Sequence, residues 1–321
     1  MQTVKSAMRL LSVNGEIDPA RAGITDAHNH VWIERIPGTP HNVPVLENRE
    51  AIISELIDFR EAGGGTIIDC QPGGCGRNGE VLRQLAESSG VNILACTGFH
   101  LRKYYPDDYW LFQATTKTAS QFFLSELEVG LEETRYTENP VLAGFIKLAC
   151  KHRLEDSPWR LMEAAVAASI ETGCAMQVHT EKGADAERIV QALLDFGASL
   201  DRLVLCHMDK RADFRLHADL AQEGIMLVYD TFFRPKYLPE ENVWPLIEKM
   251  VKAGFSSHIA IATDLAQAGM WSKLGNGPGL TGLITRILPR LERIGIMAEH
   301  IDELVGRNIV NRLARPNTPS P

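Results

Sequence analysis

The chain has 321 residues, of which 45% are apolar and 23% charged, and its formal net charge is -8. An acidic balance argues against a nucleic-acid-binding protein, which usually presents a basic face. No apolar run approaches the ~18 residues of a membrane span. The six cysteines form no Cys-x-x-Cys pair and mostly lie in apolar runs, which predicts free thiols in a reducing compartment and a cytoplasmic location.

Short apolar runs alternate along the chain with longer amphipathic segments, after a hairpin expected over residues 8–22. Strands are predicted at 23–31, 65–71, 91–98, 142–149, 175–181, 202–208, 225–231 and 258–264. Helices are predicted at 49–63, 79–90, 120–135, 157–173, 184–197, 211–223 and 241–254, with further helical segments from 280 to 314. Ser157 is expected to be the N-cap of its helix, with Pro158 in the first helical position.

Eight strand–helix units predict an α/β protein with the (β/α)8 TIM-type barrel fold, in a single domain over residues 1–314. The strands are short and almost wholly apolar, as buried parallel strands are. An open doubly wound sheet is the structural alternative, but the Gly-rich dinucleotide fingerprint that would favour it is missing after the first strand. The proline-rich residues 315–321 are expected to form a disordered tail.

Polar side chains fall at the carboxyl ends of several predicted strands, where barrel enzymes place their chemistry. These residues are His28, His30, Lys147, His179, His207 and Asp264. His28 and His30 are two residues apart, so both side chains point to the same face of their strand. A lone strand-end histidine is usually structural, but six such residues at one end of a barrel indicate a metal site. Asp69 and Asp230 also end strands, and for them we prefer a role as turn residues or caps.

The six side chains offer nitrogen and oxygen ligands without a thiolate, which favours Zn²⁺ first and also suits Mn²⁺, Co²⁺ or Fe²⁺. A protonated Lys147 inside a cluster of cations would be repelled and costly. We therefore expect its amine to have reacted with CO₂, because the resulting carbamate is an anion whose two oxygens can bridge two divalent metal ions.

With these motifs in place, the chain closely resembles the phosphotriesterase family of the amidohydrolase superfamily. The matching segments are "DAHNH", "AGFIKLA", "QVHTE", "LCHMD" and "IATD", together with "CQPGGCGRN", "TGF" and "GNGPGL". The resemblance runs almost end to end. It departs at Asn29, where relatives often carry Glu; that side chain should point away from the metals and be tolerated.

The resemblance implies a binuclear metal centre and a role for each ligand. His28, His30 and Asp264 would hold the more buried ion, and His179 and His207 the more exposed one. Carboxylated Lys147 and a hydroxide would bridge the two ions, and the hydroxide would be the nucleophile. Asp264 would orient the hydroxide, take its proton and pass it towards the leaving group. Relatives are commonly homodimers, so a homodimer is expected here.

The loops decide the substrate, since the metal centre is shared across the family. We expect substrate contacts from His100 and Tyr104 after strand 3, from Arg234 and Lys236 after strand 7, and from Trp271 and Lys273 after strand 8. Several of these are cationic, and a Gly-rich turn leading into a helix N-terminus is a common anion site. These features favour a polar or anionic small molecule, such as a sugar lactone that carries a phosphate in some cases.

Three functions therefore stay open. The first is a metal-dependent lactonase or carboxylesterase with some promiscuous phosphotriesterase activity. The second is a hydrolase of phosphoester or amide bonds from the same superfamily. The third is a non-catalytic binding protein, which a missing metal ligand would have favoured.

Overall fold

A computed structural model describes residues 8–316. Its fold is built from eight short apolar segments that pair in parallel around one axis. An N-terminal hairpin, β1 (Met8–Ser12) and β2 (Gly15–Ile17), precedes them. The barrel strands are β3 (Ile24–Asn29), β4 (Gly64–Asp69), β5 (Asn92–Leu94), β6 (Cys96–Gly98), β7 (Phe145–Ala149), β8 (Met176–His179), β9 (Leu203–Cys206), β10 (Met226–Tyr229) and β11 (Ile259–Ile261). Strands β5 and β6 are one barrel strand interrupted at Ala95, whose carbonyl accepts a hydrogen bond from Gly144 N. The (β/α)8 barrel predicted from the sequence is confirmed.

The barrel closes between β11 and β3 through polar side chains. Asp264 N donates to the His28 carbonyl over 3.1 Å, and Thr263 N donates to the Asp26 carboxylate over 3.1 Å. Asn29 reaches across the same seam: its amide oxygen accepts from Leu265 N, and its amide nitrogen donates to Thr263 Oγ1. The seam therefore fixes the first and last strands next to the residues that carry the chemistry.

Helices surround the barrel and bury the outer faces of the strands. They are α1 (Arg49–Glu61), α2 (Gly79–Ser89), α3 (Thr116–Glu128), α4 (Trp159–Thr172), α5 (Ala186–Asp195), α6 (Phe214–Gln222), α7 (Val243–Lys252), α8 (Ser272–Gly275), α9 (Leu288–Arg293), α10 (Ala298–Asp302) and α11 (Asn308–Leu313). Short π-helical turns occupy Leu283–Ile287 and Glu303–Arg307. One apolar layer packs between strands and helices, and a second fills the barrel interior with small side chains and a few large ones such as Phe145. Within residues 8–316, no helix combines the length and apolar character needed to cross a membrane.

The start of helix α3 and the capping of helix α4 differ from the sequence prediction. Helix α3 begins at Thr116 because the Thr115 hydroxyl caps it, accepting from Thr118 N, and it ends before Gly130 (φ +154°). Helix α4 begins after Pro158, and the predicted cap, Ser157, instead accepts a hydrogen bond from Lys151 N over 2.9 Å. The prediction of Ser157 as N-cap is therefore wrong.

The C-terminal segment is also more ordered than predicted. Arg315–Pro316 form a short strand, β12, that pairs antiparallel with Met8 and Arg9 of β1. Arg315 is buried and donates to the Leu127 carbonyl over 3.0 Å. The disordered tail predicted from residue 315 is thus wrong for its first two residues, and residues 317–321 lie outside the described part of the chain, as do residues 1–7.

Candidate metal centre and active site

Four imidazoles converge at the carboxyl end of the barrel. His28 belongs to β3, His30 follows it, His179 ends β8, and His207 follows β9. The ring centroids of His28 and His207 are 4.8 Å apart, and those of His179 and His207 are 4.6 Å apart. The two-residue spacing on one strand and the parallel arrangement of the others therefore bring together the histidines that the sequence singled out.

Lys147 and Asp264 complete the cluster. The Lys147 side chain from β7 is 0% exposed, and its Nζ lies 3.3 Å from His28 Nε2. The Asp264 carboxylate places Oδ1 3.9 Å from His30 Nε2 and Oδ2 3.9 Å from His207 Nδ1. Asp264 (φ +47°) and His207 (φ +64°) both adopt the left-handed backbone region, which is uncommon for such residues and occurs often at functional sites.

Three of the four histidines are oriented by a second polar side chain. The pairs are His30 Nδ1 with Gln71 Oε1 at 2.7 Å, His207 Nδ1 with Asp230 Oδ2 at 2.6 Å, and His179 Nε2 with Glu181 Oε1 at 3.1 Å. Holding the outer ring nitrogen in this way fixes the tautomer and directs the other nitrogen inwards. In keeping with this, His207 Nε2 and His179 Nδ1 face each other at 2.8 Å.

Burial keeps the imidazoles neutral, and the neighbouring Arg234 keeps the Asp264 carboxylate charged. Desolvation lowers the pKa of His28 well below its ordinary value, and the nearby Lys147 lowers it further. Desolvation likewise lowers the pKa of His30 to about 4. Burial alone would raise the pKa of Asp264, but the Arg234 guanidinium beside it brings that pKa below its usual value. Neutral imidazoles and a carboxylate anion are the forms that bind divalent metals.

The donor set fits divalent cations. One potential ligand atom each of His28, His30 and Asp264 lies within 4.8 Å of the others, and all three residues are buried. His28 Nδ1 has no hydrogen-bond partner among the described residues. Within that part of the chain, no second polar side chain therefore orients this ring in the way that the other three histidines are oriented. Buried nitrogen and oxygen donors packed this closely match the chemistry of a divalent-metal site.

The structure brings together only some of the predicted substrate contacts. His100 lies beside the cluster, 5.2 Å from the His179 ring centroid, and the Tyr104 ring packs edge-on against it at 4.6 Å. Arg234 points at the cluster too, but its Nη2 is 2.7 Å from Asp264 Oδ2 and is thus engaged with that carboxylate. Lys236 lies over the Tyr237 ring at 5.0 Å.

The two predicted contacts from the loop after β11 lie elsewhere. Trp271 is 0% exposed and donates its indole N–H to the Leu265 carbonyl over 2.7 Å, which makes it a packing residue. Lys273 forms an ion pair with Asp58 of α1 at 2.7 Å. We therefore drop Trp271 and Lys273 from the set of proposed substrate contacts.

The expected anion site in the Gly-rich turn is filled by the protein itself. The buried carboxylate of Glu55, from α1, accepts from Leu280 N at 3.0 Å, Lys273 N at 2.8 Å and Ser272 Oγ at 2.7 Å. The backbone donors of this turn are thus already paired with an internal anion. A substrate phosphate at this turn would have to displace Glu55, so the expectation of an anion site there is wrong.

Sequence reasoning missed the three side chains that orient the histidines. Gln71 and Asp230 each follow a barrel strand by a residue or two, and Glu181 lies two residues beyond His179. Their positions at the same strand ends as the ligands were the available signal, yet we interpreted Asp230 as a turn residue. Asp69 does have the structural role expected of it, since its Oδ1 accepts from Val31 N at 2.6 Å.

The parallel barrel and the buried ligand set at its carboxyl rim define the class: a metal-dependent hydrolase of the TIM-barrel type. Comparison with known proteins gives the family. The model of the phosphotriesterase family matches residues 8–311. The chain belongs to the phosphotriesterase family, whose members are enzymes that act on ester or amide bonds.

Individual relatives span almost the whole chain. A phospho-furanose lactonase from Mycoplasmopsis synoviae (strain 53) is 30% identical over 318 residues, covering 92% of this chain and 89% of that protein. An N-acetyltaurine hydrolase from Salmo salar is 27% identical over 292 residues, covering 86% and 81%. The crystal structure of a lactonase from Listeria monocytogenes superimposes with a TM-score of 0.88 at 24% identity, covering 97% of this chain and 100% of that one.

Proposed function

We propose that this protein is a binuclear metal-dependent lactonase that opens a polar, sugar-type lactone. The observation that carries the proposal is the convergence of four buried imidazoles, Lys147 and Asp264 at the carboxyl rim of the barrel. The similarity to a phospho-furanose lactonase over 92% of the chain supports the choice of bond.

Each ligand has an assigned part. His28, His30 and Asp264 would hold one divalent ion, His179 and His207 a second, and a carboxylated Lys147 would lie between the two. Zn²⁺ is our first choice, with Mn²⁺, Co²⁺ and Fe²⁺ as alternatives. Bound ions supply a Lewis acid for the substrate carbonyl and lower the pKa of a bound water.

The protein's own side chains would orient the proposed ligands and accept the proton of the attacking water. Gln71, Asp230 and Glu181 hold three imidazoles in one tautomer and orientation. Asp264 is positioned to accept the proton of the attacking water and to pass it to the leaving oxygen. Arg234, which donates to the Asp264 carboxylate, favours its anionic form and so keeps the carboxylate unprotonated and available as a proton acceptor.

Cations around the loop after β10 support a polar or anionic substrate. Lys210 and Lys236 lie 5.5 and 5.0 Å from the centroid of the Tyr237 ring, and Lys210 Nζ is 3.9 Å from Asp230 Oδ1. We infer that these ammonium groups, together with His100 and Tyr104, contact the polar side of the lactone. Weak phosphotriesterase activity would accompany the main reaction.

Hydrolysis of an amide or phosphoester by the same site is the second candidate function. The similarity to an N-acetyltaurine hydrolase over 86% of the chain favours the amide.

A homodimer in the cytoplasm remains our proposal for assembly and location. Trp110, 37% exposed on the loop after β6, is available for such an interface.

The deciding experiment is elemental analysis of the purified protein together with a panel of sugar lactones, acyl lactones, aryl esters, N-acyl amino acids and a phosphotriester. We expect about two metal ions per chain and turnover of lactones above all other classes. Two ions with preferential turnover of the N-acyl compounds would transfer the assignment to an amidase. One ion or none after reconstitution with bicarbonate would contradict the binuclear centre.

A further inference from the structure

Three of the proposed ligands lie where the first and last barrel strands meet. β3 carries His28 and is followed by His30, and Asp264 follows β11. Among the described residues, β3 and β11 belong to different hydrogen-bonded ladders, so no continuous set of backbone bonds aligns them. A backbone bond of 3.1 Å joins Asp264 N to the His28 carbonyl. The spacing of the three ligands therefore depends on further contacts, and two buried side chains supply them.

The first of these side chains is Asp26, which lies on β3 and is 0% exposed. Its Oδ1 atom accepts from His28 N over 3.4 Å and from Thr263 N over 3.1 Å. One of these donors belongs to a proposed ligand, and the other belongs to the residue that precedes Asp264. The Asp26 carboxylate thus ties the backbone of His28 to the segment that carries Asp264.

The second side chain is Asn29, at the end of β3, which makes the same kind of connection three residues further along. Its Oδ1 atom accepts from His30 N over 2.8 Å and from Leu265 N over 3.2 Å. Here one donor belongs to a proposed ligand, and the other to the residue that follows Asp264. Because a backbone N–H can only donate, these two contacts decide which end of the Asn29 amide is the oxygen.

The remaining polar atoms of the two side chains bind each other. Asn29 Nδ2 donates to Asp26 Oδ2 over 2.9 Å and to Thr263 Oγ1 over 2.9 Å. The Thr263 hydroxyl in turn donates to Asp26 Oδ2. The Asn29 amide therefore uses both of its donors and both of its acceptor sites. A carboxylate in its place would offer no donor and would repel the buried Asp26.

We propose that Asn29 and Asp26 form a positioning pair that sets the spacing between His28, His30 and Asp264, the three ligands assigned to one metal ion. The inference rests on the proposed metal centre and is independent of the choice of substrate. Both side chains act through the backbone of their neighbours and take no part in the chemistry. The pair requires one amide and one carboxylate, so the residue at position 29 is coupled to the residue at position 26.

The test exchanges the two residues. Asn29→Asp places two carboxylates against each other, and Asp26→Asn places two amides there. Each single variant should bind Zn²⁺ about 10- to 100-fold more weakly than wild type. In the double variant the amide and the carboxylate change places, each Oδ1 keeps its two backbone donors, and the Thr263 hydroxyl reverses its direction. The affinity of the double variant should therefore return to the wild-type value.

Two measurements separate positioning from general stability. Competition with a chromophoric chelator gives the metal affinity. The visible absorption spectrum of the Co²⁺-loaded protein reports the geometry of the ligands, which a change in stability alone leaves unaltered. The spectrum should change in each single variant and return in the double variant. Asn139→Asp, at an exposed position, is the matched control and should keep the wild-type affinity and spectrum.

Single variants with unchanged affinity and spectrum, or a double variant no better than the single ones, would overturn the positioning pair. If a single variant does not fold, the double variant decides. Folded double variant with wild-type affinity supports the pair, and one that fails to fold or to bind metal refutes it. Wild-type protein that binds no metal would instead contradict the proposed metal centre, and the role of the pair would fall with it.

Discussion

His207 Nδ1 and Asp230 Oδ2 are 2.6 Å apart in a fully buried pair, and the same carboxylate accepts from His207 N at 3.1 Å. One aspartate therefore fixes both the backbone and the ring of a residue that itself has left-handed dihedral angles. Asp230 acts through His207 and is a positioning residue.

Asp230→Asn should weaken metal binding by about 10- to 100-fold, because an amide orients the His207 ring less strongly than a carboxylate does. Competition with a chromophoric chelator would measure the affinity, and added metal should restore part of the activity. The exposed Asp195→Asn is the control. Unchanged affinity in Asp230→Asn would refute the positioning role.

Lys147→Ala should lose metal and activity together, since the variant cannot form a carbamate. A short carboxylic acid such as propionate should restore part of both by occupying the space of the missing side chain, which lies in a fully buried position. Elemental analysis with and without the acid is the measurement. A variant with full metal content and normal turnover would contradict the bridging role.

Arg77→Met should destabilise the fold by about 3–5 kcal/mol, since it leaves the buried Glu126 carboxylate without its partner. Arg77 Nε is 2.8 Å from Glu133 Oε1, and Arg77 Nη1 is 3.0 Å from Glu126 Oε2. Urea unfolding would give the free energy of unfolding. The double variant with Glu126→Gln should recover part of the loss; a double variant less stable than Arg77→Met would argue against the ion pair as the cause.

His217 should make the protein less stable in acid. Its ring is buried between Tyr229 OH at 2.7 Å and the Arg211 carbonyl at 2.9 Å, and burial lowers its pKa to about 4. Between pH 6.5 and 4 the unfolded chain binds a proton there that the folded chain does not, so stability falls as the pH falls through this window. The full effect below pH 4 is about 3 kcal/mol.

Unfolding measured from pH 7 to pH 4 in wild type and His217→Gln would test this effect. The variant lacks the imidazole that takes up this proton. The slope of its free energy of unfolding against pH should therefore be smaller by the equivalent of up to one proton, whatever its stability at pH 7. Parallel curves for the two proteins would show that His217 does not contribute.

The sequence was sufficient for the barrel and for the proximity of the six strand-end side chains, because strand period and parallel pairing alone decide where residues such as His28 and His30 point. It was insufficient for the loop after β11. Trp271 is buried and Lys273 pairs with Asp58, and the carboxylate that organises this loop, Glu55, lies more than two hundred residues earlier in the chain. Contacts of that range are set by tertiary packing and leave no local pattern to read.

Glu55 accepts hydrogen bonds from three donors in the loop after β11, and these bonds also decide which positions of the enzyme tolerate mutation. Two of the three donors are backbone amides and the third is the Ser272 hydroxyl, so a substitution there must preserve the backbone path that directs all three to Glu55. The segment between β3 and α1 (residues 31–48) is tied by backbone hydrogen bonds of Ile33, Glu34 and Leu46 near its base, and Ile36 and Val43 within it are half-buried outside the apolar core of the described residues. Mutations at Ile36 and Val43 should therefore be tolerated better than mutations in residues 272–280, which should yield mainly misfolded protein.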